Sequence, residues 1–353
     1  MPTLILGDYG CVVTTTPLDW KLAQDTAARL ARPGPKASLV ERRELVADLR
    51  MAAAAAPEIV AQTALLKPAQ QAQVRVVDRA NWSRSVISGL SAMIGSAIPT
   101  TTPATAQAAG LEVGVLIAFL ASRVLGQYDP WAGDKAGRLT LVAPNILASE
   151  RALDVDPSAF RMWVCLHEQT HVSQFDTAPW LGKYVSNTAQ ELTASLMNRE
   201  RVSERVVTLL RGLVETVRDP KAPSLLEITA SDAELEMLDR LTAVMSLLEG
   251  HADVIMDAVG EDIVPGVGKI RKVFDARRSG QSRDRKTTWD QIIRRLLGLD
   301  TKIAQYREGA KFVRAVEATV GRAGLNRVWE SEQNLPTITE LRAPHLWTER
   351  VHG

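Results

Sequence analysis

The chain has 353 residues, 46% of them apolar and 24% charged, the balance of an ordinary globular protein with material for one large core or two modest ones. Lys and Arg number 42 against 41 Asp and Glu, a net charge of +1, so the overall charge gives no reason to expect nucleic acid or an anionic membrane as partner. The two cysteines, Cys11 and Cys165, cannot form a disulfide framework and point to a reducing, cytoplasmic location.

In chain order the sequence reads as mainly helical with a small β-sheet, an α+β protein. The opening Met1-Pro2-Thr3-Leu4-Ile5-Leu6-Gly7-Asp8 has no basic leader, and Asp8 breaks the apolar run too early for a signal peptide. Weak alternation and β-branched residues predict a strand within residues 4–14. Ser38 and Glu41 have capping-box spacing, and a helix is expected from there through Ala52 and Ala56 up to Pro57. A short strand follows at residues 74–77. The Pro/Thr/Ala stretch 99–110 reads as a linker or long exposed loop. It would divide a mostly helical region, 1–98, from a larger unit, 111–353, with which that region could still pack as one body. Residues 111–125 are apolar but interrupted by Glu112 and Arg123; too short to span a bilayer, they read as a buried helix. The clearest strand is 138–143, closed by Pro144. Further helices are expected at 157–175, 188–218, 232–259 with Ser231 as N-cap, 288–297 and 301–320.

The chemistry concentrates in Cys165-Leu166-His167-Glu168-Gln169-Thr170-His171. Histidines at i and i+4 share one helix face with Cβ atoms about 5–6 Å apart, close enough for both imidazoles to hold one tetrahedral zinc at about 2.0–2.1 Å. Glu168 projects beside them, where it can take a proton from a water activated by the metal. These are the roles an HExxH helix requires. Apolar flanks (Met162, Trp163, Val164, Leu166, Val172 and Phe175) argue that the helix is buried, where two unpartnered histidines would be costly. Cys165 faces away from the metal and reads as a small buried hydrophobe.

One zinc per chain needs a third protein ligand. Gln174 and Thr177 stand where the metzincin pattern demands glycine and histidine, which excludes that class. The best candidate is Glu249, within Leu248-Glu249-Gly250-His251-Ala252-Asp253. Asp253, one turn on, is expected to accept a hydrogen bond from a ligand imidazole, and Gly250 to let this helix approach the metal helix. Rival ligands are His251, Asp257, Glu191 and Asp176. His251 points to a different face from Glu249 and reads as an outer or substrate-side group. Surface roles are expected for His345 and His352 in a turn-rich tail. Tyr128, Tyr184 and His251 are candidate oxyanion donors. The strand at 139–143, just upstream of the metal helix, could pair with an extended peptide by β-augmentation. Ten Lys/Arg against three Asp fill residues 269–295, but without interleaved aromatics they read as a solvated loop rather than a nucleic-acid site.

The sequence also resembles a bacterial family of zincin-like zinc metallopeptidases, uncharacterised in substrate and common in actinobacteria, some of whose members are associated by name with biosynthesis of the deazaflavin coenzyme. The resemblance runs through Ala31-Arg32-Pro33-Gly34-Pro35, Val76-Val77-Asp78-Arg79, Leu125-Gly126-Gln127-Tyr128-Asp129-Pro130 and Leu141-Val142-Ala143-Pro144-Asn145. It continues through Trp163-Val164-Cys165-Leu166-His167-Glu168, Glu249-Gly250-His251-Ala252-Asp253 and Leu296-Leu297-Gly298-Leu299-Asp300. It implies a mainly helical zincin-like fold with zinc at His167 and His171. It supplies no substrate, and nothing in the chain resembles a deazaflavin-binding site. The expected activity is hydrolysis of peptide bonds. The alternatives are a zinc hydrolase of a small non-peptide amide or ester, and a non-catalytic zinc scaffold with a fourth protein ligand.

Overall fold

The computed structural model describes residues 4–6, 12–14, 17–70, 72–132, 136–153, 155–197, 231–278 and 308–353. The mainly helical architecture with a small sheet is as expected. Two strands, β1 (Leu4–Leu6) and β2 (Val12–Thr14), pair antiparallel. Helices α1 (Trp20–Leu30) and α2 (Leu39–Ala64) follow, then β3 (Gln73–Val77), α3 (Arg79–Ile94) and α4 (Pro103–Leu120). Next come β4 (Gly126–Asp129), β5 (Arg138–Val142), α5 (Ala143–Leu153), α6 (Pro157–Thr177) and α7 (Leu181–Met197). The chain closes with α8 (Asp232–Ala258), α9 (Val267–Arg278), α10 (Glu308–Leu325, interrupted at Gly321), α11 (Ile338–Arg342) and α12 (Pro344–His352). The expected helix 288–297, the outer parts of those at 188–218 and 301–320, and most of the basic stretch lie outside the described residues.

Several expectations need correction. Residues 103–110 are not a loop: Thr102 caps α4 by accepting from the Thr105 amide, and Pro103 sits at the first helical position, where its missing N–H costs nothing. Ala106, Ala109 and Gly110 are buried. A Cβ added to Gly110 would lie 2.5 Å from the Asp19 carbonyl oxygen, so α1 and α4 meet at backbone distance. By length and composition α4 could cross a membrane, but 44% of its window is buried in the protein. Helix α2 does not stop at Pro57 but runs on to Ala64; burial of Leu45, Leu49, Ala53, Ala56 and Val60 outweighs the one lost hydrogen bond. Ser38 caps it through the Glu41 amide, while the Glu41 carboxylate pairs with Arg151 instead of closing a capping box. The C-terminal tail is helical too, and its Trp347 is fully buried.

Three apolar clusters order the molecule. One joins α2, β5, α5 and α6; a second joins α7, α8, α10 and the C-terminal helices; a third joins α1, α3 and α4. The main sheet runs β3-β5-β4, with β3 parallel and β4 antiparallel to β5. The strand at 138–142 is therefore central and already paired on both edges. The edge that faces α6 is β4. Widely separated segments of the family resemblance converge in one polar clamp. Arg79 donates to the Asn145 side chain (2.6 Å) and to the carbonyls of Arg32 (3.0 Å) and Pro33 (2.8 Å). Asn145 in turn donates to the carbonyls of Ala121 and Val124 at the end of α4. These contacts tie the 32–33 loop, α3, α5 and the end of α4 together.

Candidate metal centre

Helix α6 is built to be buried. Asp156 caps it through the Ala159 amide and Pro157 occupies its first turn. Arg161 ties it to Glu150 (2.7 and 3.0 Å) and Asp48 (2.6 Å). Cys165, fully buried, faces α2 with its sulfur 3.7 Å from the Leu49 carbonyl, and burial pushes its thiol pKa well up. The opposite face carries Trp163, His167 and His171 one turn apart. Trp163 stacks on His167 with centroids 6.1 Å apart, and the two imidazoles meet edge to face at 4.9 Å.

Across from this face stands Glu249 of α8. His167 Nε2 and His171 Nε2 are 3.3 Å apart; the first lies 3.5 Å from Glu249 Oε2 and the second 3.5 Å from Glu249 Oε1. These three side chains form a group that could hold a metal ion. The distances have a physical reading. Tetrahedral ligands at about 2.0–2.1 Å from a zinc ion are separated from each other by roughly 3.3–3.4 Å. Two imidazole nitrogens and a carboxylate, all offering lone pairs, would repel at this spacing without a cation among them. A proton can play that part: burial pushes the His167 pKa down, but the Glu249 carboxylate, with Glu168 and Asp253 behind it, more than compensates and lifts it to about 9. His171 moves the other way, lowered by burial. The donor set therefore fits zinc.

Glu168 is 4% exposed and sits beside this group. Burial and the Glu249 charge raise its pKa to about 7, against the opposing pull of His167 and of the Tyr128 backbone N–H, which donates to it. Gly126 makes room for it: an added Cβ there would lie 2.6 Å from Glu168 Oε1. Strand β4 thus touches Glu168 through one amide and one missing side chain. The sequence reading singled out Tyr128 for its hydroxyl, but that group donates to the Ala136 carbonyl (3.1 Å). Spacing made Glu168 visible, but the Tyr128 backbone amide that donates to it and the bare Cα of Gly126 had no such signal.

The other nominated residues fall as follows. The Asp253 charge favours the protonated form of both histidines, although burial still leaves His171 lowered. The outer nitrogen of His171 is hydrogen-bonded not to Asp253 but to Gln174 Oε1, at 2.9 Å, because Gln174 lies one turn beyond His171 on α6 itself. Gln174 was read only as a departure from the metzincin pattern. His167 Nδ1 is buried and has no hydrogen-bond partner among the described residues. His251 is fully buried behind Gln174, its Nδ1 3.0 Å from Gln174 Nε2, and burial pushes its pKa down to about 3. It does not face the Nε2 cluster. Tyr184 neighbours Arg240 and Glu332; Arg240 lies nine residues before Glu249 on α8, more than 10 Å along the axis at about 1.5 Å per residue. Asp257 is taken by Arg271 and Arg314. His345 is exposed, whereas His352 is half-buried against Trp347 and Gly324. Gly250 does not face α6. A Cβ there would lie 2.2 Å from the Gly309 carbonyl carbon, so it brings α8 against α10. One residue is about 100° of helix, and with Glu249 on the α6 side Gly250 must look elsewhere.

A mainly helical frame with paired histidines and a glutamate from a following helix defines a zincin-type centre. The sequence profile of the zincin-like metallopeptidases matches residues 18–348, and the chain belongs to this family. A crystal structure from Chloroflexus aurantiacus, of a presumed hydrolase described as having a novel fold, is similar over 95% of this chain and 99% of its own. Its TM-score is 0.67 and its sequence identity 29%. No curated protein matches.

Proposed function

We propose that the protein is a zinc-dependent hydrolase that cleaves peptide bonds, with His167, His171 and Glu249 holding one metal ion. The observation that carries this is the meeting of three side chains: the two Nε2 atoms lie 3.3 Å apart, close to one edge of a zinc tetrahedron, and each lies 3.5 Å from a different oxygen of the Glu249 carboxylate. Three donors cluster among the described residues, which leaves a coordination position for substrate and argues against a scaffold. Bound there, zinc would supply Lewis acidity toward a carbonyl and toward water. Glu168, with a pKa near 7, is poised to take a proton from that water and pass it to the leaving amine. The short edge strand β4, whose Tyr128 amide already points at Glu168, is where an extended peptide would pair. Strand β5 cannot serve, being central. The reading keeps the enzyme cytoplasmic, as two cysteines without a disulfide framework suggest.

Elemental analysis of protein purified without chelators should find close to one zinc per chain. Glu168→Gln should keep that zinc and lose about 10²–10⁴-fold in the rate of hydrolysis of a peptide library. Metal-free folded protein would overturn the zinc reading, and a Glu168→Gln variant with wild-type rate would overturn the proton-transfer role.

A further inference from the structure

We infer that Gln174 is a positioning residue that fixes the tautomer of His171 and takes its own orientation from a backbone carbonyl of α8. The inference rests on the zinc reading for its consequence, though not for its geometry. Gln174 is completely buried, so its amide must find partners within the protein. Its Nε2 donates to the Leu248 carbonyl at 2.9 Å and reaches His251 Nδ1 at 3.0 Å; its Oε1 lies 2.9 Å from His171 Nδ1.

A carbonyl oxygen can only accept. The nitrogen of the Gln174 amide must therefore face Leu248, and its oxygen must face His171. Were the amide turned over, two oxygens would meet at the Leu248 distance. With the oxygen placed, His171 has to donate from Nδ1, which leaves the lone pair on Nε2 pointing at His167 Nε2 and Glu249. The opposite tautomer would put a hydrogen into the 3.3 Å gap between the two imidazoles, where a metal would have to sit. The same logic runs outward. The second Gln174 N–H meets the lone pair of His251 Nδ1, so His251 carries its hydrogen on Nε2, which is buried beside the Trp329 ring (5.2 Å between centroids).

Gln174 thereby joins the two ligand-bearing helices at the residue next to Glu249. It orients the histidine on one helix by reading the backbone of the other. The sequence gives no hint of this, since glutamine three residues after a ligand histidine is not itself a motif.

Long-range ¹⁵N–¹H correlation spectra of zinc-free, full-length protein, with His171 assigned by its absence in His171→Gln, test the assignment directly. His171 should show a protonated Nδ1 and a bare Nε2. A hydrogen on Nε2 would overturn the inference, and this measurement needs no folded Gln174 variant. Zinc affinity by competition with a chromophoric chelator gives the second arm. Gln174→Leu should weaken zinc by about 10–100-fold, the usual effect of an outer partner. Gln174→Glu keeps an acceptor for His171 but sets its second oxygen against the Leu248 carbonyl, so it should recover only part of that loss. If Gln174→Leu bound zinc like wild type, or Gln174→Glu bound as weakly as Gln174→Leu, the side chain would be only a bridge between helices and the inference would fall. Wild-type protein that takes up no zinc, yet shows the Nδ1-protonated His171, would sink the metal reading while upholding the tautomer.

Discussion

Helix α6 and helix α8 both reach the centre, but they are held there in different ways. The His167–His171 spacing is a property of one helical turn, and α6 is anchored along its length by Arg161, by burial of Phe160, Val164 and Leu166, and by Gln174. Glu249 has no such local guarantee. Its side chain is 27% exposed, and its height above the histidines depends on how α8 packs against α10 through Gly250 and Gly309. A Cβ on Gly309 would lie 2.0 Å from the Ser246 carbonyl oxygen. One half of the centre is thus written in short-range geometry, and the other half is assembled by tertiary contact between two glycines.

The comparison breaks first at the ligands. His167→Ala, His171→Ala and Glu249→Ala should each weaken zinc by more than the about 10–100-fold typical of outer partners, read by chelator competition. If both halves are needed, Glu249→Ala will rank with the histidine variants and Asp253→Asn well below them. Zinc binding to Glu249→Ala at wild-type strength would show that α8 contributes no ligand.

A smaller effect separates assembly from chemistry. Gly250→Ala leaves every donor atom in place but forces α8 and α10 apart, because the Gly309 backbone is within 2.2–2.6 Å of the new Cβ. Overpacking of this kind costs typically about 1–3 kcal/mol, visible as a lower Tm of the zinc-free protein, and zinc affinity should fall with it. If affinity is unchanged while Tm drops, Glu249 is positioned independently of the α8–α10 contact.

The same contrast explains what could be read from the sequence. The histidine pair and Glu168 were legible because i, i+1 and i+4 on a helix fix their directions without any knowledge of the fold. Glu249 could be nominated from its apolar surroundings, but the partner of Gly250 could not. Which helix a glycine faces depends on the packing order of α6, α8 and α10. Strand order was equally hidden: residues 138–142 alternate and carry β-branched residues as an edge or a central strand would, and only the pairing of β3 and β4 on its two sides decides the matter. Residues 103–110 misled because proline and threonine read as breakers, although at a helix start they are a first-turn residue and a cap. Gln174 and Gly126 were missed for a related reason. Each acts through an amide or an empty Cβ position, and neither leaves a periodic trace.

The finest test uses pH. In the zinc-free protein His167 is lifted to about 9, so at neutral pH it carries a proton that zinc must displace. Apparent zinc affinity should therefore rise by about tenfold per pH unit from pH 7 to near 9 and flatten above it, with close to one proton released per ion at pH 7.5. Calorimetry in buffers of different ionisation enthalpy counts that proton. The stability of the zinc-free protein moves the opposite way. A folded pKa above the ordinary value of 6.5 means that His167 contributes fully below that pH and loses its contribution as pH rises through 9. Glu168, raised to about 7, adds to the fall over its own lower range. The Tm of zinc-free protein should thus decline from pH 6 to 9. In the zinc-loaded form the imidazole is already neutral, so the His167 part of that decline should vanish. If zinc uptake released no proton at pH 7.5, the Glu249 carboxylate would not be close enough to hold His167 charged. The α8 half of the centre would then have to stand further from α6 than the 3.5 Å contacts place it.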